Sequence, residues 1–280
     1  MKRLSMLRSL TIATLLSSSL LANSIDDKLL KYEKHRVSRN PNIKINEVKL
    51  FLKKDLNMDG WSGYVYNINL TINGQKRDIK DIIFANKTFV TSDLRNIKTN
   101  QSMKKYMYPT LSFKYYDDKF LIAGNKGAKH KITIFSDPLC PICVETMPEL
   151  IKAVKENPDE LSLYYIHMPL DMHPTAKMIV KASILAKEQG VKDIDYKVYT
   201  AQFDNDFDPY EERDKEKVLK IFNKKFGTDI TMSQINSKRL DEELKRSEKL
   251  SDDALIQGTP TIFFDGEIDS MRDKYKKYTK

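Results

Sequence analysis

Lys131-Ile132-Thr133-Ile134-Phe135-Ser136-Asp137-Pro138-Leu139-Cys140-Pro141-Ile142-Cys143 is the stretch on which the fold turns. Ile132 and Ile134 alternate with other residues, which predicts a short strand over Lys131–Phe135. Beyond Cys140, Val144, Met147, Leu150, Ile151 and Val154 recur at helical spacing and predict an amphipathic helix. A strand that turns directly into a helix puts Cys140 at the helix N-cap. There its sulfur meets unpaired backbone N–H groups and the positive end of the helix dipole, which favour thiolate over thiol. Pro141 suits the first helical position, where no N–H is needed. Cys143 follows about one turn later, within reach of the first sulfur. Attack on a disulfide by Cys140, then resolution by Cys143, is the chemistry this spacing allows.

Cys140 and Cys143 are the only cysteines in 280 residues. A pair this close restricts the unfolded chain very little, so it makes a poor staple. A zinc site needs four ligands, and His35, His130, His167 and His173 offer no His-x-x-x-His spacing to complete one. Neither a metal nor another cofactor is expected. An inert structural pair stands as the alternative.

Downstream, Leu161–Ile166 reads as a second buried strand and Thr175–Gln189 as a helix closed by Gly190. Glu211–Phe226 and Ser237–Gln257 read as further helices, Thr261–Phe264 as a strand, and Asp269–Tyr278 as a charged helix. Gly258-Thr259-Pro260-Thr261 places a proline where a strand begins. A cis bond there would leave the Thr259 backbone free to pair with an extended substrate; an ordinary trans proline fits equally well. Asp137 has two readings, tuning Cys140 or capping its own turn. His173-Pro174 suits the turn that opens the following helix. Ile142, between the cysteines, has no proton to offer the thiolate.

Upstream, residues 23–115 read as a small α+β domain with an antiparallel sheet. A helix covers 25–38, and strand-like alternation follows Pro41, with turn signals at Asn57-Met58-Asp59-Gly60 and Asn73-Gly74. Gly124-Asn125-Lys126-Gly127 suggests a junction, and 116–128 is read as a linker. Lys2, Arg3 and Arg8 precede an apolar run from Leu10 to Ala22, the pattern of a secretory signal peptide over residues 1–22, cleaved near Ala22. Leu20 is large for that cleavage motif, and an uncleaved anchor is the alternative. Export would place the cysteines where disulfides persist.

The formal net charge is +9, of which three charges sit in that leader without any acid. The rest is spread thinly among Lys, Asp and Glu. No block of one sign marks a nucleic-acid surface.

Phe135 to Cys143, followed much later by Gly258-Thr259-Pro260-Thr261, resembles the DsbC/DsbG branch of the thioredoxin superfamily. The resemblance implies an α/β thioredoxin-like domain over 129–280, with a helical insertion at about 168–257, preceded by the small α+β domain. It implies that Cys140 attacks and Cys143 resolves, that the two form a redox disulfide, that Pro260 is a cis-proline, and that Thr259 contacts substrate. Pro141, Ile142 and Asp137 would support the site, and Pro148 would kink the active-site helix. A periplasmic homodimer joined through its N-terminal domain is implied too. Its partners would be exported proteins with cysteines and a membrane or periplasmic protein that resets the pair. Isomerase or reductase work is expected, with DsbA-like oxidation or chaperone-like holding of unfolded chains as alternatives.

Overall fold

The computed structural model describes residues 25–72 and 74–279. The signal-peptide reading, and Asn73 of the Asn-Gly turn, lie outside the described residues. Two units are distinguished: a smaller one including residues 25–53 and 65–81, and a larger one of 54–64 and 82–280.

In the N-terminal region, α1 (Ile25–Ser38) precedes β1 (Ile43–Met58), β2 (Trp61–Ile72), β3 (Gln75–Ala85) and β4 (Val90–Thr91). They form an antiparallel sheet in the order β1-β2-β3-β4. Asp59 and Gly60 turn β1 into β2 with positive φ, the conformation glycine and aspartate tolerate best. β2 is largely buried, whereas the 16-residue β1 is mostly exposed at the sheet edge. Arg36 of α1 pairs with the buried Glu33 and with Asp81.

The larger unit holds the mixed five-stranded sheet, in the order β5-β7-β6-β8-β9. Its strands are β5 (Leu121–Gly124), β6 (His130–Ser136), β7 (Leu161–His167), β8 (Thr261–Phe264) and β9 (Glu267–Ile268). β6 runs parallel to β7, with Ile132 opposite Leu163 and Ser136 opposite His167. β8 runs antiparallel to β6, with Phe135 opposite Thr261. Side chains alternate between faces along each strand. Ile132, Ile134, Leu163 and Tyr165 pack against Met147, Leu150 and Val154 of α2 (Pro141–Glu156). Phe135, Tyr164, Ile166 and Phe263 pack on the other face against Tyr115, Leu250 and Ala254. Between β7 and β8 stand α3 (Ala176–Glu188), α4 (Ile194–Tyr199), α5 (Lys215–Phe226), α6 (Met232–Ile235) and α7 (Lys238–Asp253), which share a core of their own. Among the described residues, no helix is long and apolar enough to cross a membrane.

Two segments differ from their sequence reading. The 116–128 stretch contributes β5, which pairs antiparallel with β7, so this stretch belongs to the sheet. Gly124 is glycine because its φ is +78° and a Cβ would strike the Leu161 carbonyl oxygen, not because it lies in a free joint. In Asp269–Tyr278, only Lys274–Tyr278 forms a 3-10 helix. The Asp269 carboxyl takes the backbone N–H groups of Arg272 (3.1 Å) and Lys274 (2.9 Å), and Arg272 has φ +59°, so the chain turns before it coils.

Candidate active site

β6 ends at Ser136, and the chain turns through Asp137, Pro138 and Leu139 into α2. Cys140 is the N-cap in extended conformation (φ −73°, ψ 123°), and Pro141 opens the helix. The Val144 N–H donates to the Cys140 carbonyl at 2.9 Å, which closes the first turn. Ile142 is 49% exposed, so the dipeptide between the cysteines faces outward. Pro148 lies inside α2, which continues through it.

The turn is held from within. Asp137 is fully buried and its carboxyl accepts three donors: the Leu139 N–H at 2.7 Å, the Leu170 N–H at 2.6 Å and His173 Nδ1 at 2.8 Å. Of the two readings of Asp137, capping is the one with hydrogen bonds to show. The same bonds tie the turn that precedes α3 to the cysteine turn. His173 is itself buried and meets the Tyr210 ring edge-on.

The register of β8 against β6 brings Gly258-Thr259-Pro260 alongside the end of β6. The Thr259–Pro260 peptide bond is cis. The Cys140 thiol donates to the Thr259 carbonyl with 3.6 Å between heavy atoms. The Thr259 hydroxyl is buried without a hydrogen-bond partner of good geometry, yet it lies near enough to favour the thiolate form of both cysteines.

The two sulfurs are opposed electrostatically. A hydrogen bond from the Cys143 thiol is the largest influence on Cys140, and burial works against it. The Thr259 hydroxyl and the backbone N–H groups of Cys143 and Ile142 add to the first, and together they pull the Cys140 thiol down to about 5. Cys143 has no exposed surface, and burial followed by its bond to Cys140 pushes its thiol far up. At neutral pH one sulfur is therefore a nucleophile and its neighbour holds its proton. Both are free thiols here. Among the described residues, no cluster of His, Cys, Asp or Glu could hold a metal ion.

Three residues that the sequence reading gave no role stand behind the pair. Ser136 lies against Cys143, and the Tyr199 hydroxyl is 2.8 Å from both Ser136 Oγ and the Tyr165 hydroxyl. Ser136 and Tyr165 could have been found, since the period-2 alternation of β6 and β7 puts both on the face covered by α2. Nothing in the sequence signals Tyr199, which comes from the unread helix α4.

Several solved structures are similar to this chain. A periplasmic thioredoxin-like protein from Salmonella enterica serovar Typhimurium shares 18% identity, with 59% of this chain and 94% of that one covered and a TM-score of 0.46. A thioredoxin-like oxidoreductase from Silicibacter pomeroyi shares 18%, covering 56% and 87%, with a TM-score of 0.45. BdbD from Bacillus subtilis shares 18%, covering 60% and 91%, with a TM-score of 0.44. No curated protein matches significantly. The family model described as Thioredoxin matches residues 117–280, which includes β5 and every element of the cysteine site. With a match over more than half of its length, this chain belongs to the thioredoxin family.

Proposed function

We propose that this protein is a thiol–disulfide oxidoreductase that exchanges disulfides with exported protein substrates through Cys140 and Cys143. The observation that carries the reading is the asymmetry of the pair: Cys140 lowered to about 5 at a helix N-cap, and Cys143 buried with its proton held. In the reduced form, the Cys140 thiolate attacks a substrate disulfide and forms a mixed disulfide. Cys143 then displaces the substrate sulfur and closes the Cys140–Cys143 bond. In reverse, the disulfide takes electrons from substrate thiols. Thr259 and Pro260 form the wall beside Cys140, and the Thr259 backbone is the place for an extended substrate segment. Asp137 holds the turn, and Pro141 and Ile142 present the exposed face of the site.

A value of about 5 lies between the roughly 7 of thioredoxin and the roughly 3.5 of DsbA. The intermediate acidity, with the Ile142 side chain offering the thiolate no proton, supports the isomerase or reductase direction over strong oxidation. The basic, apolar start of the sequence supports export to the periplasm, and the long exposed edge strand β1 supports pairing with a second copy. A resident redox protein would reset the pair.

The test is reduction of insulin and reactivation of a scrambled-disulfide substrate by the purified protein. Wild type is expected to accelerate both, and Cys140→Ser to fall to the uncatalysed background. If the serine variant matches wild type, the exchange reading fails. If it then also suppresses aggregation equally well, holding of unfolded chains replaces it.

A further inference from the structure

Cys140 is only 7% exposed, so a substrate disulfide must be drawn to the sulfur by contacts outside it. A cavity of about 200 Å³ opens beside it. Leu139 and Pro141, the residues on either side of Cys140, line this cavity together with Val144 from the first turn of α2. The other side comes from the insertion: Val198 and Tyr199 end α4, and Phe203 follows in the next turn. Thr259 and Pro260 do not line it, so it is separate from the wall they form. A substrate segment held against Cys140 therefore has an apolar recess within reach of its side chains.

The rim of the recess carries charge of one sign. Glu145 and Asp204 both line the cavity and are exposed. Neither side chain has an ion pair or a hydrogen bond among the described residues. The chain has 48 Lys and Arg against 39 Asp and Glu, so bases to pair them are plentiful. Yet the run from Asp204 to Glu212 contains Asp204, Asp206, Asp208, Glu211 and Glu212 and no base. Three of these acids are engaged: Asp206 pairs with Lys225 at 2.8 Å, Glu212 pairs with Lys217 at 2.5 Å, and Asp208 accepts the Tyr210 N–H at 2.8 Å. Lys225, 5.9 Å from the Phe203 ring centroid, is held by Asp206 and by the Ala201 carbonyl at 2.9 Å. Carboxylates beside a thiolate work against its ionisation, so Glu145 and Asp204 do nothing to activate Cys140.

We propose that this cavity is a specificity pocket that seats a basic side chain of the substrate, close in sequence to the cysteine under attack. The inference rests on the exchange function proposed above and names its preferred substrates: disulfides flanked by arginine or lysine, ahead of those flanked by acids. Lysine and arginine bury an aliphatic stem and keep the charged head at the surface. The stem lies against Val144, Val198 and the rings of Tyr199 and Phe203, and the head meets Glu145 and Asp204. Arginine gains most, because its planar guanidinium pairs with carboxylates and stacks on aromatic rings. A neutral apolar side chain leaves the carboxylates unmatched, and an acidic one is repelled.

The test uses the full-length reduced protein and rapid mixing with fluorescent peptide disulfides. The peptides differ only in the residues next to the cysteine, which are arginine, glutamine, glutamate or diaminopropionate, a cation on a one-carbon stem. Each rate is divided by that of the same peptide with 2-mercaptoethanol, whose thiolate feels the same flanking charges but has no pocket. Mixed-disulfide formation with the arginine peptide is expected to exceed that with the glutamate peptide by at least about tenfold at low salt, a change from repulsion to attraction at two carboxylates. The glutamine peptide should fall between them. The diaminopropionate peptide should react at least about threefold more slowly than the arginine peptide, since it carries the charge without the stem. Glu145→Gln combined with Asp204→Asn, two isosteric changes at exposed positions, should bring the arginine-to-glutamate ratio down to about threefold or less.

A ratio near one in wild type overturns the pocket, as does a ratio that survives the double substitution. Equal rates with arginine and diaminopropionate would reduce the preference to surface charge and overturn it too. If wild type forms no mixed disulfide with any of the peptides, the exchange reading falls and takes the pocket with it; exchange without preference defeats the pocket alone.

Discussion

Cys143→Ala is expected to accumulate covalent complexes with substrate proteins, whereas Cys140→Ser forms none. The intramolecular geometry sets the size of the effect. Well-oriented intramolecular reactions reach effective molarities of about 10⁵ M and above, so millimolar external thiol cannot replace the missing sulfur. The lifetime of the mixed disulfide should lengthen by at least about a thousandfold on the same arithmetic. The variant also alters the surviving cysteine. The hydrogen bond from the Cys143 thiol is the largest influence lowering Cys140, so its loss raises the Cys140 pKa. Trapping should therefore be more efficient at pH 8 than at pH 6. Non-reducing electrophoresis reads both outcomes, and mass spectrometry of the captured chains identifies the substrates. Equal yields from the two variants would contradict the division of labour between the sulfurs.

Asp137→Ala should be the most damaging single change at the site that leaves both cysteines in place. It strands the Leu139 and Leu170 N–H groups and His173 Nδ1, each now hydrogen-bonded to a fully buried carboxyl. Leaving buried donors unpaired costs about 1–3 kcal/mol apiece, and opening a buried hydrogen-bonded cluster costs about 3–5 kcal/mol in all. Urea unfolding of the oxidised protein should show this loss as a lower midpoint. Asp137→Asn keeps one acceptor oxygen and should lose less. Because the Asp137 side chain bonds to the turn and not to sulfur, the folded Asp137→Asn protein should keep the Cys140 pKa of wild type. A large change there would restore the tuning role.

The legible parts of the fold were those where the apolar period changes sharply. At Cys140 the spacing switches from two to helical, and that switch marked the end of β6 and the start of α2 to within a residue. Leu161–Ile166 and Thr261–Phe264 were equally plain, being short, mostly apolar and bounded by turn residues. β5 was missed because it has four residues and ends in a glycine. From sequence, a glycine chosen for close approach to the Leu161 backbone looks the same as one chosen for flexibility. The C-terminal segment misled because its tyrosines recur at helical spacing, whereas the tertiary role of Tyr278 is to stack on Phe264. The cysteines were legible from their spacing, whereas Thr259 and Pro260 joined them only through the family resemblance, since the residues alone left the cis and trans readings of Pro260 equal. That Tyr199 reaches Ser136, 63 residues away, is a product of tertiary packing that no local pattern encodes.

Exchange chemistry at this site requires Cys140 to be a thiolate at neutral pH. Its folded pKa is depressed, so the anion is present above that value and is lost as pH falls through it. The direct measurement is the rate of iodoacetamide alkylation of the fully reduced protein from pH 3 to 10, with Cys143→Ser as a control for assignment to Cys140. The rate is expected to rise with a midpoint at about 5 and to reach its plateau by pH 7. A single rise centred near the roughly 8.5 of an ordinary cysteine would contradict it.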